Sequence, residues 1–199
     1  ISLEELFNTI TTGIDSGNDS FAISKDKSNI TKKISAIQNA QSDEEVISII
    51  GKLYSGQTVT KLKNDVYLDG DIISLGYRPF ENNYTYYTGN SGGWLSRPRD
   101  KKITNCMNNI MNNYSLVFQK QGNSTWSDIF VSNKMIDSHF IGGKTYIAPL
   151  IIDIDNLTKE KIYNINELAF KKIIQKLNNK VTYEDVFDYC YGVLSDMNY

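Results

Sequence analysis

Histidine occurs once in this chain of 199 residues, at His139; cysteine occurs twice, and proline and arginine three times each. A Ser-His-Asp or Cys-His catalytic group would have to use His139, and no nucleophile motif accompanies it. The same scarcity excludes a metal site of the His/Cys type. Cys106 and Cys190 have neither metal-ligand spacing nor the density of a disulfide framework, so a reducing cytoplasm is the expected compartment. No apolar run approaches the ~20 residues of a membrane span, and no basic-then-apolar leader opens the chain. Ile1 stands where an initiator methionine would, and both ends are expected to have been cut from a longer polypeptide. Gly142-Gly143-Lys144-Thr145 resembles the tail of a phosphate-binding loop. That loop needs a glycine where Ser138 stands and a helix after the Lys-Thr pair, whereas Tyr146-Ile147-Ala148-Pro149 reads as a strand, so a turn is predicted there. Carboxylates are plentiful, and the sequence leaves open which of them meet.

A hydrophobic content of 40% and a charged content of 22% argue against wholesale disorder, and the length suits one domain. Net charge is −2, but it is uneven: residues 1–70 carry −3, residues 71–150 carry +3 and residues 151–199 carry −2. Lysine is common and arginine rare, a bias we attribute to AT-rich coding. It makes the arginines informative, because Arg78, Arg97 and Arg99 all fall in the basic centre. Arginine is suited to planar, bidentate recognition in a way that lysine is not.

Ile30, Ile34 and Ile37 repeat at helical spacing, and Ser42 with Glu45 makes a capping box ahead of Val46, Ile49, Ile50 and Leu53, a helix that Gly56 would end. The centre is rich in short aromatic and β-branched runs: Tyr67-Leu68, residues 72–75, 84–88, Trp94-Leu95, residues 116–119, 129–132 and 146–152. One helix interrupts them, with Asp100 as N-cap. Leu168, Ile173, Ile174 and Leu177 form a later helical stripe, and Thr182 with Asp185 caps the last helix. The expected fold class is α+β, a strand-rich mixed or antiparallel central sheet flanked by N-terminal and C-terminal helices. Helices are expected over 30–55 and 165–197, with strands over 66–152.

One stretch concentrates binding chemistry. Tyr77-Arg78-Pro79-Phe80, Tyr84–Tyr87, Asn90-Ser91-Gly92-Gly93-Trp94 and Arg97-Pro98-Arg99 hold every arginine beside six aromatic residues, and Lys101 and Lys102 follow directly. Guanidinium forks beside aromatic faces suit phosphates, guanine edges and base stacking. Gln119-Lys120-Gln121 ends a strand, and glutamine suits bidentate contact with adenine. The same tyrosines and Trp94 could instead stack on sugars, as in a carbohydrate-binding module or phage-type adhesin. Tyr77, Pro79 and Phe80 are expected to be architectural, since a turn proline between aromatics usually is.

These runs, in this order, resemble the C-terminal specificity region of single-chain restriction–modification enzymes, the type ISP proteins and related adenine-specific DNA methylases. Thr12-Gly13-Ile14-Asp15-Ser16-Gly17-Asn18-Asp19 resembles the glycine loop that follows their methyltransferase domain. Residues 128–132, Ile136-Asp137-Ser138-His139 and Pro149-Leu150 are similar to the downstream half, and residues 187–194 to the closing helix. Lys120 stands where the family often has arginine, and Ser195-Asp196-Met197 departs from its usual continuation.

The resemblance implies a target-recognition domain over residues 25–199, with residues 1–24 a loop or strand linker from a missing methyltransferase domain. Duplex DNA would be the partner, together with the methyltransferase and nuclease or helicase domains of the same polypeptide. The chain itself would be non-catalytic and free of cofactor; S-adenosylmethionine, and Mg²⁺ for cleavage, would be bound by those missing domains. Candidate DNA-binding residues are Arg78, Arg97, Arg99, Lys101, Lys102, Gln119, Lys120, Gln121, Asn90, Trp94, Ser132, Lys134 and His139. Gly13, Gly17, Tyr77, Pro79, Phe80, Tyr86 and Tyr87 would be structural.

Overall fold

The computed structural model describes residues 1–68, 70–120, 129–177 and 180–196. The N-terminal part contains α1 (Leu3–Leu6), β1 (Thr11–Thr12), α2 (Asp19–Ala22) and β2 (Ile23–Ser24), followed by α3 (Lys27–Asn39), α4 (Asp43–Ile50) and α5 (Val59–Val66). The centre holds β3 (Asp71–Arg78), β4 (Glu81–Tyr87), α6 (Lys101–Asn109), β5 (Ser115–Phe118), β6 (Phe130–Ser132), β7 (Met135–Ile136), β8 (Tyr146–Pro149), β9 (Ile151–Ile154) and β10 (Lys161–Tyr163). α7 (Glu167–Lys176) and α8 (Tyr183–Ser195) close the chain. This is the expected α+β arrangement.

Two four-stranded sheets organise it. One is antiparallel in the order β1-β8-β5-β6; the other runs β2-β4-β3-β7, antiparallel except for the parallel β3–β7 pair. Strand residues alternate faces, and the first sheet uses both faces. Val117 and Ile147 join a core with Phe21, Ile30, Leu62, Leu75 and Trp94. Their neighbours Leu116, Phe118 and Ala148 join a second core with Phe7, Ile165 and Phe187. The sheet is thus the wall between two cores, which is why its strands read as continuous apolar runs.

Helix ends follow the capping chemistry. Asp100 accepts from Ile103 N at 3.0 Å, and Thr182 with Asp185 makes the complete box. At α4 the box is displaced: Ser42 accepts from Glu45 N, but the Glu45 carboxylate reaches back to Gln41 N at 2.8 Å.

Three expectations fail. Gly51, at φ 77°, ends α4, not Gly56. α5 then follows, capped by Thr58 and buried through Val59, Leu62 and Val66, a spacing of three and four that signals a helix. Tyr67-Leu68 is therefore the frayed end of α5 and not a strand, and Trp94-Leu95 lies outside the named strands, in a single bridge between Ser91 and Leu95. The third concerns residues 1–24, expected as a linker. They are part of the fold: Phe7, Ile14 and Phe21 are core residues, and β1 and β2 each pair with a strand of a different sheet. Asn164, wholly buried, accepts from Thr9 N at 2.9 Å and donates to Thr9 O at 2.8 Å, tying the first residues to the last third of the chain.

Candidate nucleic-acid interface

The strip Gly13–Ser16 is the keystone of the candidate site. On one side Ile14 N donates to Ile136 O (2.8 Å) and Ser138 N to Ile14 O (2.7 Å). On the other, Asp15 and Arg97 exchange backbone bonds of 3.0 and 2.9 Å. Arg99 Nε donates to Gly13 O at 3.1 Å. A Cβ on Gly13 would lie 2.4 Å from Asp137 O, so no other residue fits without moving the 136–138 strand. Gly17 turns the chain at φ 73°, with its N–H on the Asp15 carboxylate. Both glycines of this loop sit where a side chain would clash or strain the backbone.

The register of the first sheet then decides which candidates meet. Phe118 pairs with Tyr146, Tyr146 with Thr12, and Val117 with Phe130, so these residues mark one end of that sheet. Gln119 and Lys120 leave β5 at this end, and the 139–145 turn enters β8 there. Gln119 lies against the turn, since a Cβ on Gly143 would sit 2.6 Å from its Nε2. Lys120 and Lys144 both lie over the Tyr146 ring, at 4.8 and 5.4 Å from its centroid. Lys120 also pairs with Glu4 at 2.8 Å. Arg97 is exposed, and neither it nor Lys144 meets a carboxylate among the described residues. Both are open to an outside anion.

The tip of the β3–β4 hairpin reaches the same end, because β3 runs parallel to β7 and Asp137 continues beyond it. There Arg78 is largely engaged. One Nη donates to Asp137 Oδ1 at 2.7 Å, and its guanidinium stacks on Tyr77 at 3.9 Å. Tyr77 in turn donates to Asp19 at 2.8 Å. Asp137 is nearly buried, which raises its carboxyl above the usual range; His139 N and Arg78 pull the other way. His139 itself is exposed, with its ring Nδ1 3.0 Å from Ser138 Oγ.

Other candidates lie elsewhere. Ser132 pairs with Ser115 at the opposite end of the sheet, and Lys134 is beside it, its backbone N–H on Ser132 Oγ. Lys102 lies 3.8 Å from Asp153 of β9. Asn90 is exposed, and its amide reaches the buried carboxylate of Asp65, which also accepts from Thr88 Oγ1 (2.5 Å) and Trp94 N (2.7 Å). Lys101 lies against Gly89 in the same loop. Trp94, expected at the interface, is wholly buried: it packs 4.6 Å from Phe21 and donates to Ala22 O. An indole with no accessible surface contacts core, not DNA. Tyr86 and Tyr87 are buried strand residues, as expected, and Pro79 is half-buried. Phe80, expected to be architectural, is 99% exposed. Gln121 lies outside the described residues.

Sequence reasoning missed Lys144, Tyr146 and the carboxylates Asp15 and Asp137. The signal was present for the first two: a lysine in a Gly-Gly turn, two residues before an aromatic strand start, presents a cation beside a ring.

The family model described as the Type ISP C-terminal specificity domain matches residues 5–199. No curated protein sequence matches the chain. Among solved structures, it is similar to the ATP-dependent Type ISP restriction-modification enzyme LlaBIII bound to DNA, with a TM-score of 0.68 and 16% identity over 100% of this chain and 13% of that one. It is also similar to a DrdV–DNA complex, at TM-score 0.60 and 15% identity over 94% of this chain and 19% of that one. A third likeness is to a nuclease-deletion mutant of the Type ISP restriction-modification enzyme LlaGI in complex with a DNA substrate mimic, at TM-score 0.58 and 19% identity over 98% and 16%. These likenesses establish a shared fold, and the chain spans less than a fifth of each of those chains.

Proposed function

The chain belongs to the Type ISP C-terminal specificity domain family, and from that premise we propose that it reads duplex DNA for a restriction–modification enzyme of which it is one domain. The observation that carries this is the convergence of Arg97, Arg99, Lys120 and Lys144 with Gln119 around one sheet end. Arg97 and Lys144, which meet no carboxylate among the described residues, can neutralise phosphates, and the Gln119 amide beside them can address a base edge. The solved relatives, named as DNA complexes, support the same reading. The carbohydrate alternative loses most of its platforms, because Trp94, Tyr86 and Tyr87 are buried.

Methyl transfer and cleavage belong on this reading to other domains of a longer polypeptide, which would work in the cytoplasm. S-adenosylmethionine and Mg²⁺ would bind there. Among the described residues no three His, Cys, Asp or Glu side chains converge. No helix among them is long and apolar enough to cross a membrane.

The test is a salt titration of DNA affinity in the full-length enzyme. Arg97→Ala and Lys144→Ala should each reduce the slope of log affinity against log salt by about one if they hold phosphates. A base-reading side chain should instead cost ~1–3 kcal/mol at one position of the site. If Arg97→Ala, Arg99→Ala and Lys144→Ala leave affinity, slope and site preference unchanged, this sheet end is not the DNA face.

A further inference from the structure

The turn that joins β3 to β4 is closed by the pair Arg78–Glu81, leaving Pro79 and Phe80 as its two central residues. Proline supplies a negative φ at the first, and Phe80 has φ 65° at the second. That is the type II pattern, whose second central residue is ordinarily glycine or asparagine because a Cβ is strained there. A phenylalanine in this position meets the steric cost and gains no burial in return, being 99% exposed. Backbone strain together with an uncovered aromatic ring is the combination found where a side chain has a task outside its own fold.

The ring has one aromatic neighbour among the described residues. Phe140, buried, meets Phe130 edge-to-face at 5.7 Å, and Phe130 meets Phe80 edge-to-face at 6.4 Å. An aromatic file therefore runs from the first core out to the tip. The tip stands at the end of the fold where Arg97 and Lys144 are open to phosphate. A projecting apolar side chain on the same end of the fold as cations open to phosphate suits a polyanion with an apolar interior, which is a duplex. Apolar side chains of this kind enter between base steps and unstack them.

We propose that Phe80 is a wedge that inserts into the base stack of the bound duplex. This rests on the DNA-recognition reading above. The wedge separates one base step beside the recognised sequence, and the paired β3–β4 hairpin carries it.

The experiment uses the full-length enzyme and duplexes containing its own methylation site, mapped by sequencing modified DNA, with 2-aminopurine placed at each position in turn. Binding by the unaltered enzyme should raise fluorescence at a step next to the site, in addition to any signal from the methylated base. Phe80→Ala should abolish the first signal, keep the second, and weaken binding roughly 5- to 150-fold, the equivalent of losing one base–aromatic stack. Phe80→Trp should retain the unstacking signal. Melting temperature serves as the folding control and should not fall, since the ring is uncovered. If Phe80→Ala binds and brightens every probe as the unaltered enzyme does, the wedge is overturned while DNA recognition stands. The same holds if the variant loses only thermal stability. If the unaltered enzyme binds no duplex, both readings are overturned together.

Discussion

Arg78 donates to Asp137 at 2.7 Å, and the carboxylate it meets is 3% exposed while the guanidinium is 35% exposed. The pair is therefore unequal: removing the arginine strands a charge, whereas removing the aspartate leaves a cation that water can reach. Arg78→Ala should cost about 1–3 kcal/mol near neutral pH, less than for a fully buried pair because Arg78 is partly solvated. Asp137→Asn should cost less. The pH dependence follows from burial, the largest influence on Asp137, which raises its carboxyl above 3.8. A raised carboxyl contributes stability at acid pH that is lost as pH rises through its folded value. Without Arg78 that value rises further, so the deficit of Arg78→Ala should shrink as Asp137 takes up its proton on acidification. Urea unfolding of both proteins at neutral and mildly acid pH measures it.

Phe80→Gly should stabilise the fold. Relief of a left-handed backbone is worth ~1–2 kcal/mol, offset by the ~0.4–1 kcal/mol of extra unfolded-chain freedom that glycine brings. The melting temperature should rise slightly while DNA affinity falls. A lower melting temperature would mean that the Phe130 contact holds the hairpin more firmly than its exposure implies.

Trp94→Ala should destabilise by ~3–5 kcal/mol through the cavity it leaves. Trp94→Phe should be milder, because Ala22 O still accepts from Thr85 Oγ1 at 2.8 Å. Chemical denaturation distinguishes the two, and equal losses would show that the indole hydrogen bond dominates.

Asp65→Ala removes the acceptor shared by Thr88, Asn90 and Trp94 N, the last of these buried. A loss of about 2–4 kcal/mol is expected, of the kind seen when a buried network is broken. Amide exchange should quicken first in residues 88–94, and exchange that quickens evenly over the chain would contradict a local anchor.

Lys134→Ala supplies the spatial control. It lies at the sheet end opposite Lys144, so the salt dependence of DNA binding should be unaltered in Lys134→Ala and shallower in Lys144→Ala. Equal effects would relocate the DNA face.

Much of the fold was readable because its signals are local. Asp100 and Thr182 announce helix starts by side-chain chemistry that acts within three residues, and β3 and β4 by their aromatic and β-branched runs. α5 was missed although its Val59, Leu62 and Val66 spacing is helical, because the aromatic Tyr67 drew the reading toward a strand. The site was readable only in part. Arg97, Arg99 and Lys120 stand out by type, but that Ser132 and Lys134 point away from them depends on pairing between β5 and β6, which no local pattern reveals. Trp94 and Phe80 exchanged roles for a similar reason: composition marks an aromatic as notable, and only the packing around it says whether it faces core or water.

The bond between Asn164 and Thr9 links residues 155 positions apart, and the keystone strip begins only a few residues after Thr9. Such a pairing cannot form until both partners have been synthesised. At the usual pace of translation, roughly 10–30 s separates them, and a closure this distant also slows folding once the chain is free. Until Asn164 is made, the first residues lack this tie to the last third of the chain, and the strip that holds Arg97 at Asp15 and Arg99 at Gly13 lies just beyond it. Products truncated before Asn164 are therefore expected to hold the Gly13–Ser16 strip loosely and, on the proposed reading, to bind DNA poorly.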